Sequence, residues 1–187
     1  SNTETALLLK AKINEVKTIC DCDKVDVVAH SMGGLVTRQY VQSENYENDI
    51  DQLIFLGTPH LGAPKAYLMY EGGENGPGVA NAITFLFLSH LAHEAGYENT
   101  FDYIRLKPIP SVRELLPVYN YLFDEPSSLR TYPNSYPTNP FLENLNNNLG
   151  LLSGSGVEVV NIIGENQTND TINSISVEDS TVLPLWQ

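Results

Sequence analysis

The segment Val25-Asp26-Val27-Val28-Ala29-His30-Ser31-Met32-Gly33-Gly34-Leu35-Val36 decides the fold of this chain. Residues 25–29 make a short apolar run, which is typical of a buried strand. The apolar residues that follow recur at helical spacing, namely Met32, Leu35, Val36 and Tyr40. The sequence therefore predicts a strand that turns directly into a helix over residues 32–42, with Ser31 in the turn.

This placement of Ser31 favours a nucleophilic role. The free backbone N–H groups of the helix N-terminus lie beneath the serine and stabilise developing negative charge. Small residues, Ala29 and Gly33, lie two positions before and two positions after it, and we expect them to let the neighbouring backbones pass. The alternative is that Ser31 is an ordinary helix N-cap, which is a common role for serine.

The surrounding pattern predicts an α/β fold with a parallel sheet flanked by helices. An amphipathic helix over residues 3–20 precedes the first strand, with one apolar face made by Leu9, Ile13, Val16 and Cys20. A second apolar run at 53–56 ends at Gly57-Thr58-Pro59-His60-Leu61-Gly62, and a third predicted strand lies at 157–163. A strand–helix–strand unit of this kind implies parallel pairing with a right-handed crossover.

Residues 63–156 break this alternation and predict a helical cap. The segment is rich in Tyr, Pro, Asn and Gly, and it contains one strongly apolar helix at about 79–93. Shorter apolar pieces lie at 112–122 and 141–149, and no strand is predicted. Long insertions between the strands of an α/β sheet commonly cover a site. We therefore expect an α/β core at 1–62 and 157–187 and a helical cap at 63–156.

Charge and cysteine content narrow the function classes. Among 187 residues, 23 acidic side chains outnumber 10 basic ones, and the net charge of −13 argues against nucleic acid as a partner. Cys20 and Cys22 are expected to be free thiols, since two cysteines make no disulfide framework. His90 and His93 share a helix face near Glu94, and we favour a solvated or packing pair over a metal site.

Three segments resemble the lipase and esterase branch of the α/β-hydrolases, in particular lecithin–cholesterol acyltransferase-like and GPI-inositol-deacylase-like enzymes. The first is Ala29-His30-Ser31-Met32-Gly33-Gly34, which has alanine where the usual Gly-x-Ser-x-Gly has its first glycine. The second is Gly57-Thr58-Pro59-His60-Leu61-Gly62. The third is Glu178-Asp179-Ser180-Thr181-Val182, which is similar to the Gly-Asp-Gly-Thr-Val around the family's catalytic acid.

The resemblance implies a serine carboxylic-ester hydrolase that forms an acyl-enzyme on an apolar acyl or lipid ester and needs no cofactor or metal. Ser31 would be the nucleophile, Asp179 the triad acid and the Met32 N–H an oxyanion donor. His60 and Leu61 would line the substrate pocket, although a structural role for His60 is the stronger alternative. From the residues alone, other acids compete with Asp179, namely Glu165, Asp170 and Glu178.

One departure from the family pattern keeps other functions open. In this fold the triad histidine follows the acid, and no histidine follows Asp179. The chain therefore resembles a central fragment of a larger hydrolase, whose missing neighbour strand would leave a sheet edge open to self-association. The alternatives are an acyltransferase of the same fold and a non-catalytic binding module. The residues do not determine the acyl substrate or the compartment.

Overall fold

The computed structural model of the protein describes residues 1–72, 79–124, 128–164 and 172–177. The first half of the chain forms α1 (Asn2–Cys20), β1 (Val25–His30), α2 (Met32–Val41), β2 (Ile50–Leu56) and α3 (Lys65–Gly72). The middle forms α4 (Val79–Glu94), α5 (Thr100–Leu106), α6 (Pro110–Arg113), β3 (Leu122–Asp124) and β4 (Ser128–Leu129). The last part forms α7 (Pro140–Asn147), α8 (Leu149–Ser153), β5 (Glu158–Ile162) and β6 (Ile175–Val177).

The main sheet is parallel, as predicted, and has the strand order β1–β2–β5 within the described residues. His30 at the end of β1 lies opposite Leu56 of β2, which in turn lies opposite Ile162 of β5. The carboxyl ends of the strands therefore meet at one edge, beside Ser31. Helices α1 and α2 pack against each other and against this sheet around buried apolar side chains such as Val36, Leu53 and Phe55. The α/β class with flanking helices is confirmed.

Helix α1 buries the predicted face only in its N-terminal part. Its buried side chains are Asn2, Ala6 and Ile13, whereas Val16 is 38% exposed and Cys20 is exposed. Ala6, the half-buried Leu9 and Ile13 lie on the same helical stripe as Val16 and Cys20, so the predicted face is buried as far as Ile13 and exposed beyond it. Ala6 and Ile13 join the core cluster that contains Val36 of α2, whereas residues 18–20 in the last turn of α1 are exposed.

The expectation of free thiols is wrong, because Cys20 and Cys22 are joined by a disulfide. Helix α1 ends at Cys20, and Asp21 adopts a left-handed conformation with φ 53°. This turn brings the two Cα atoms to 5.3 Å, within the range that a disulfide requires. The disulfide connects the last residue of α1 to the short segment that leads into β1.

The predicted cap contains strands that the sequence pattern did not indicate. Strand β3 pairs with β4 in antiparallel fashion and with β6 in parallel fashion, which makes a second small sheet. These strands have only two or three residues, too few for a period of two to emerge from the sequence. Strand β6 lies in the C-terminal segment, so the second sheet joins residues 175–177 to the middle of the chain.

Two apolar clusters organise the middle of the chain. The first joins α2 to α7 through Leu35, Leu142 and Leu145, with Leu115 and Val118 packed beside them. The second is made by tyrosine rings in mostly edge-on contact, namely Tyr67, Tyr119, Tyr121, Tyr132 and Tyr136. The apolar helix predicted at 79–93 is present as α4. None of the helices in the described ranges combines the length and apolarity needed to cross a membrane.

Candidate functional site

Ser31 occupies a strained turn between β1 and α2. Its backbone has φ 52° and ψ −128°, a region that residues other than glycine rarely adopt. Two hydrogen bonds fix this conformation: Ser31 N–H donates to Leu56 O at 3.0 Å, and Gly34 N–H donates to Ser31 O at 3.0 Å. A conformation of this kind costs about 1–3 kcal/mol and persists only where the surroundings enforce it, commonly at functional sites.

The side chain of Ser31 does not act as a helix cap. Although Ser31 is the N-cap residue of α2, its hydroxyl makes no capping hydrogen bond. By contrast, the N-cap side chains of Ser1, Asn99 and Asn139 each accept a backbone N–H from the first turn of their helices. The alternative of an ordinary N-cap therefore lacks its defining hydrogen bond. The Ser31 hydroxyl is left half-buried at the strand edge, without a hydrogen bond to any described residue.

The close approach at this turn involves Gly34 rather than Gly33. A Cβ at Gly33 would meet nothing within 4 Å, so the expectation that Gly33 lets neighbouring backbones pass is wrong for the described residues. A Cβ at Gly34 would overlap the Thr58 side chain and lie 2.8 Å from its Cβ. Gly34 is thus the residue that lets α2 pack against the loop after β2. Ala29, the other small residue, is buried within the sheet.

The His60 ring is held by one aromatic and two polar contacts. Its Nδ1 lies 3.2 Å from Nη1 of Arg38, its ring packs edge-on against Phe55 at 4.8 Å, and its side chain hydrogen-bonds Asn161. Burial and the Arg38 charge lower the pKa of His60, and the bond to Asn161 offsets part of that effect. A neutral imidazole held in this way is poorly placed to accept a serine proton.

The other predicted site residues lie at the same sheet edge or outside the described residues. Met32 is the first residue of α2, so its N–H belongs to the free donors at that helix N-terminus. Leu61, next to His60, presents a side chain that is 55% exposed. Asp179 lies outside the described residues, as do its competitors Glu165, Asp170 and Glu178. The roles given to Ser31, Met32, His60, Leu61 and Asp179 stay predictions.

Of the other three histidines, His30 ends β1 next to Ser31, and His90 and His93 lie on α4. His90 and His93 are exposed on α4, and Nε2 of His90 is 3.9 Å from a Glu94 carboxylate oxygen. Within the ranges that the structure describes, no group of three or more His, Cys, Asp or Glu side chains is arranged to hold a metal ion.

Arg38 is a residue of this site that the sequence pattern did not predict. It is 1% exposed and joins α2 to two other segments. An arginine in an amphipathic helix is ordinarily expected on the solvated face. The available signal was its spacing: Arg38 lies seven residues after Ser31 and three after Leu35, which places it on the face that faces the protein.

A strained serine turn between a parallel strand and a helix, with a helix-rich insertion after the next strand, defines an α/β-hydrolase of the lipase branch. The family model described as Lecithin:cholesterol acyltransferase matches residues 2–154. This chain therefore belongs to the lecithin:cholesterol acyltransferase family.

Two solved structures are also similar to this chain. The mature form of Bacillus licheniformis lipase BlEst2 is 19% identical, with a TM-score of 0.45, over 88% of this chain and 48% of that one. The Tle4–Tli4 complex contains a chain that is 17% identical, with a TM-score of 0.47, over 86% of this chain and 42% of that one. The chain thus spans less than half the length of either structure. A search of curated proteins returns no match.

Proposed function

We propose that this protein is a serine carboxylic-ester hydrolase in which Ser31 is the nucleophile. The observation that carries the proposal is the backbone of Ser31, held at φ 52° between β1 and α2 while its hydroxyl stays out of the helix cap. Strain of this size at the turn between a strand and a helix is typical of a site that presents a reactive side chain. Family membership supports acyl-ester chemistry at this position.

In the proposed mechanism, the Ser31 Oγ attacks the ester carbonyl carbon while its proton passes to a base. The tetrahedral oxyanion accepts a hydrogen bond from the Met32 N–H at the start of α2. Collapse of this intermediate expels the alcohol, which takes the proton, and leaves an acyl-Ser31 ester that water then cleaves. Asp179 is the proposed acid that orients the base. His60 is not proposed as the base, because Arg38 and Asn161 engage its ring.

The proposed substrate is an ester with an apolar acyl chain. The family's name refers to lecithin, a phospholipid that carries acyl esters, and to cholesterol, a sterol alcohol that accepts an acyl group. Apolar side chains that could contact such chains are exposed on the cap helix α4 and on the loop after β2: Ile83 at 62%, Leu86 at 68%, Phe87 at 59% and Leu61 at 55%.

A second candidate is acyl transfer, which the description of the family model favours. Both reactions share one acyl-enzyme and differ in whether water or an alcohol accepts the acyl group. Incubation with a labelled ester and a long-chain alcohol distinguishes them. A labelled new ester in preference to free acid indicates the transferase.

The proposal is tested by hydrolysis of p-nitrophenyl butyrate with protein expressed from its complete gene. Ser31→Ala should lower turnover by at least about 10⁴-fold, because a serine hydrolase that loses its nucleophile keeps only residual catalysis. Ser43→Ala, just beyond the other end of α2, is the matched control and should retain activity. Undiminished turnover in Ser31→Ala would refute Ser31 as the nucleophile, whereas wild-type protein without turnover would favour a non-catalytic binding module.

We further propose that the chain self-associates through the free edge of β1. Within the described residues, β1 has a neighbouring strand on one side only. A groove beside this edge is lined by apolar side chains of α1, β1 and α2, and Val28 in it is 62% exposed. Unpaired strand edges recruit other chains. Light scattering of the 187-residue chain should show dimers or larger species that Val28→Lys reduces; a monodisperse monomer would contradict this.

A further inference from the structure

Arg38 is a buried cation whose partners are all neutral. Its side chain is 1% exposed, and no carboxylate in the described ranges forms an ion pair with it. Instead, Nε donates to Gln42 Oε1 at 3.0 Å, Nη1 points at His60 Nδ1 at 3.2 Å, and Nη2 donates to Asn146 Oδ1 at 3.0 Å. Burial lowers the pKa of Arg38 to about 10. Burying a charge is costly unless the charged group is hydrogen-bonded. Here each guanidinium nitrogen has one partner, and two of these partners, His60 and Asn146, lie outside α2.

The contacts of Arg38 close a ring between three distant parts of the chain. Arg38 lies on α2, His60 lies in the loop after β2, and Asn146 lies on α7. Besides accepting from Arg38, Asn146 donates from Nδ2 to the His60 carbonyl oxygen at 3.0 Å. The side chain of Gln42 adds two further bonds to the end of α7, to the carbonyl oxygens of Leu145 at 2.7 Å and Asn148 at 2.9 Å.

These contacts hold the loop after β2 against α2, the helix that follows Ser31. Arg38 follows Ser31 by seven residues, which is two helical turns on the same face. At one end, Ser31 N–H donates to Leu56 O, and at the other end Arg38 contacts His60. The loop is thus fixed at both ends, and Leu61, the residue after the second attachment, is the one that presents an exposed apolar side chain.

The same loop is attached to the segment that leads into the cap strands. Val118 N–H donates to Leu61 O at 3.0 Å, and Ala63 N–H donates to Leu115 O at 2.9 Å. Gly62 has φ 89°, and a Cβ there would lie 2.6 Å from Leu116 O, so the two backbones are in direct contact. A shift of the loop would therefore carry residues 115–118 with it.

We propose that Arg38 is a positioning residue that holds the loop at residues 57–62 and helix α7 in register with Ser31, and so shapes the acyl-binding surface around Leu61. Its effect on substrate selection rests on the function proposed above. Its effect on the geometry of His60 does not depend on that function.

The protonation state of His60 reports on this arrangement. Arg38 can only donate, so Nδ1 of His60 must accept, and the proton of the neutral ring resides on Nε2. A second proton on the ring would face the Arg38 guanidinium. Within the part of the chain that the structure describes, the ring also contacts Phe55 and Asn161, and neither carries a charge. Removing the Arg38 charge should therefore move the titration midpoint of His60 upward.

The first experiment follows the histidine ring nitrogens by NMR during a pH titration of wild-type protein, Arg38→Met and Arg38→Lys. We expect a neutral Nε2–H ring in the wild type, and an upward shift of its midpoint in Arg38→Met. Arg38→Lys keeps the charge but loses the planar fork, so it should restore the midpoint only in part. Arg105→Met is the matched control, because Arg105 is 51% exposed and bridges Glu71 at 2.9 Å.

Asn146→Ala keeps the experiment decisive if Arg38→Met fails to fold. This variant preserves the charge but removes the bond to the His60 carbonyl, and amide exchange at residues 57–62 should accelerate in it. A His60 midpoint and loop exchange unchanged in every folded variant would overturn the proposal.

The second experiment measures selectivity with a short-chain and a long-chain alkyl fluorophosphonate. In Arg38→Lys, labelling by the long-chain probe should slow about tenfold relative to the short-chain probe, since small misplacements of a binding surface have effects of this size or more. Equal slowing of both probes would indicate a purely structural role and overturn the claim about substrate selection. If wild-type protein is not labelled at all, the proposed function fails, while the histidine titration still decides the positioning.

Discussion

Helices α2 and α4 are both apolar, but they differ in how the protein uses them. Seven of the ten residues of α2 are buried, including Arg38, and its N-terminus carries Ser31. Among the described side chains of α4, residues 82–94, only Leu88 and Ala92 are buried, and Phe85, Leu86 and Phe87 are exposed. Apolar composition therefore does not by itself predict burial. Helix α2 is closely packed on the rest of the protein, whereas α4 exposes apolar side chains.

The largest difference between the two helices should appear when one leucine in each is replaced by alanine. Leu35 in α2 is fully buried against α7, whereas Leu86 in α4 is 68% exposed. Leu35→Ala should lower the free energy of unfolding by about 2–5 kcal/mol. Leu86→Ala should change it by less than about 0.5 kcal/mol. Urea denaturation of the two variants measures both values, and equal losses would show that α4 is as firmly packed as α2.

A smaller effect should distinguish the two glycines in the first turn of α2. Gly34→Ala places a methyl group against the stiff, buried Thr58 side chain and should cost about 1–3 kcal/mol of unfolding free energy. Gly33→Ala faces open space, and it should be neutral or stabilise the helix by up to about 1 kcal/mol. Thermal unfolding of the pair checks this. A larger loss at Gly33 would mean that another segment covers that face of the protein.

The smallest expected effect is a pH dependence due to His60. Its pKa is lowered in the folded protein, by burial first and by Arg38 second, so the unfolded chain binds the proton first as the pH falls. The free energy of unfolding should therefore decrease as the pH falls below about 6.5, the ordinary pKa of histidine. Urea titrations between about pH 7 and pH 5 should show this slope in the wild type and less of it in His60→Gln. An unchanged slope would rule out His60 as its source.

Much of this architecture was predictable because it depends on local pattern. The run before Ser31 and the helical spacing after it predicted the turn, and the apolar run at 79–93 predicted α4. The strands of the second sheet were not predicted, because two or three residues are too few to show a periodicity and the strands form by pairing with other segments. The Cys20–Cys22 disulfide escaped because it depends on the left-handed backbone of Asp21.

The site was predictable only where its chemistry is local. The position of Ser31 in a strand–helix turn is predicted by the residues next to it. The role of Arg38 depends on His60 and Asn146, which are 22 and 108 residues away in the sequence. The use of Gly34 instead of Gly33 likewise depends on Thr58 in the next strand–loop unit. Long-range polar contacts of this kind leave no periodic signature.

The most direct test of the central claim is to locate the adduct that a short-chain fluorophosphonate forms with the native protein. The account predicts a single covalent adduct on the peptide that contains Ser31, absent in Ser31→Ala and absent when the protein is first unfolded in urea, because activation of the hydroxyl requires the folded turn. Ser43→Ala should be labelled like the wild type. An adduct on another residue, or no adduct in the native protein, would contradict the assignment of Ser31 as the nucleophile.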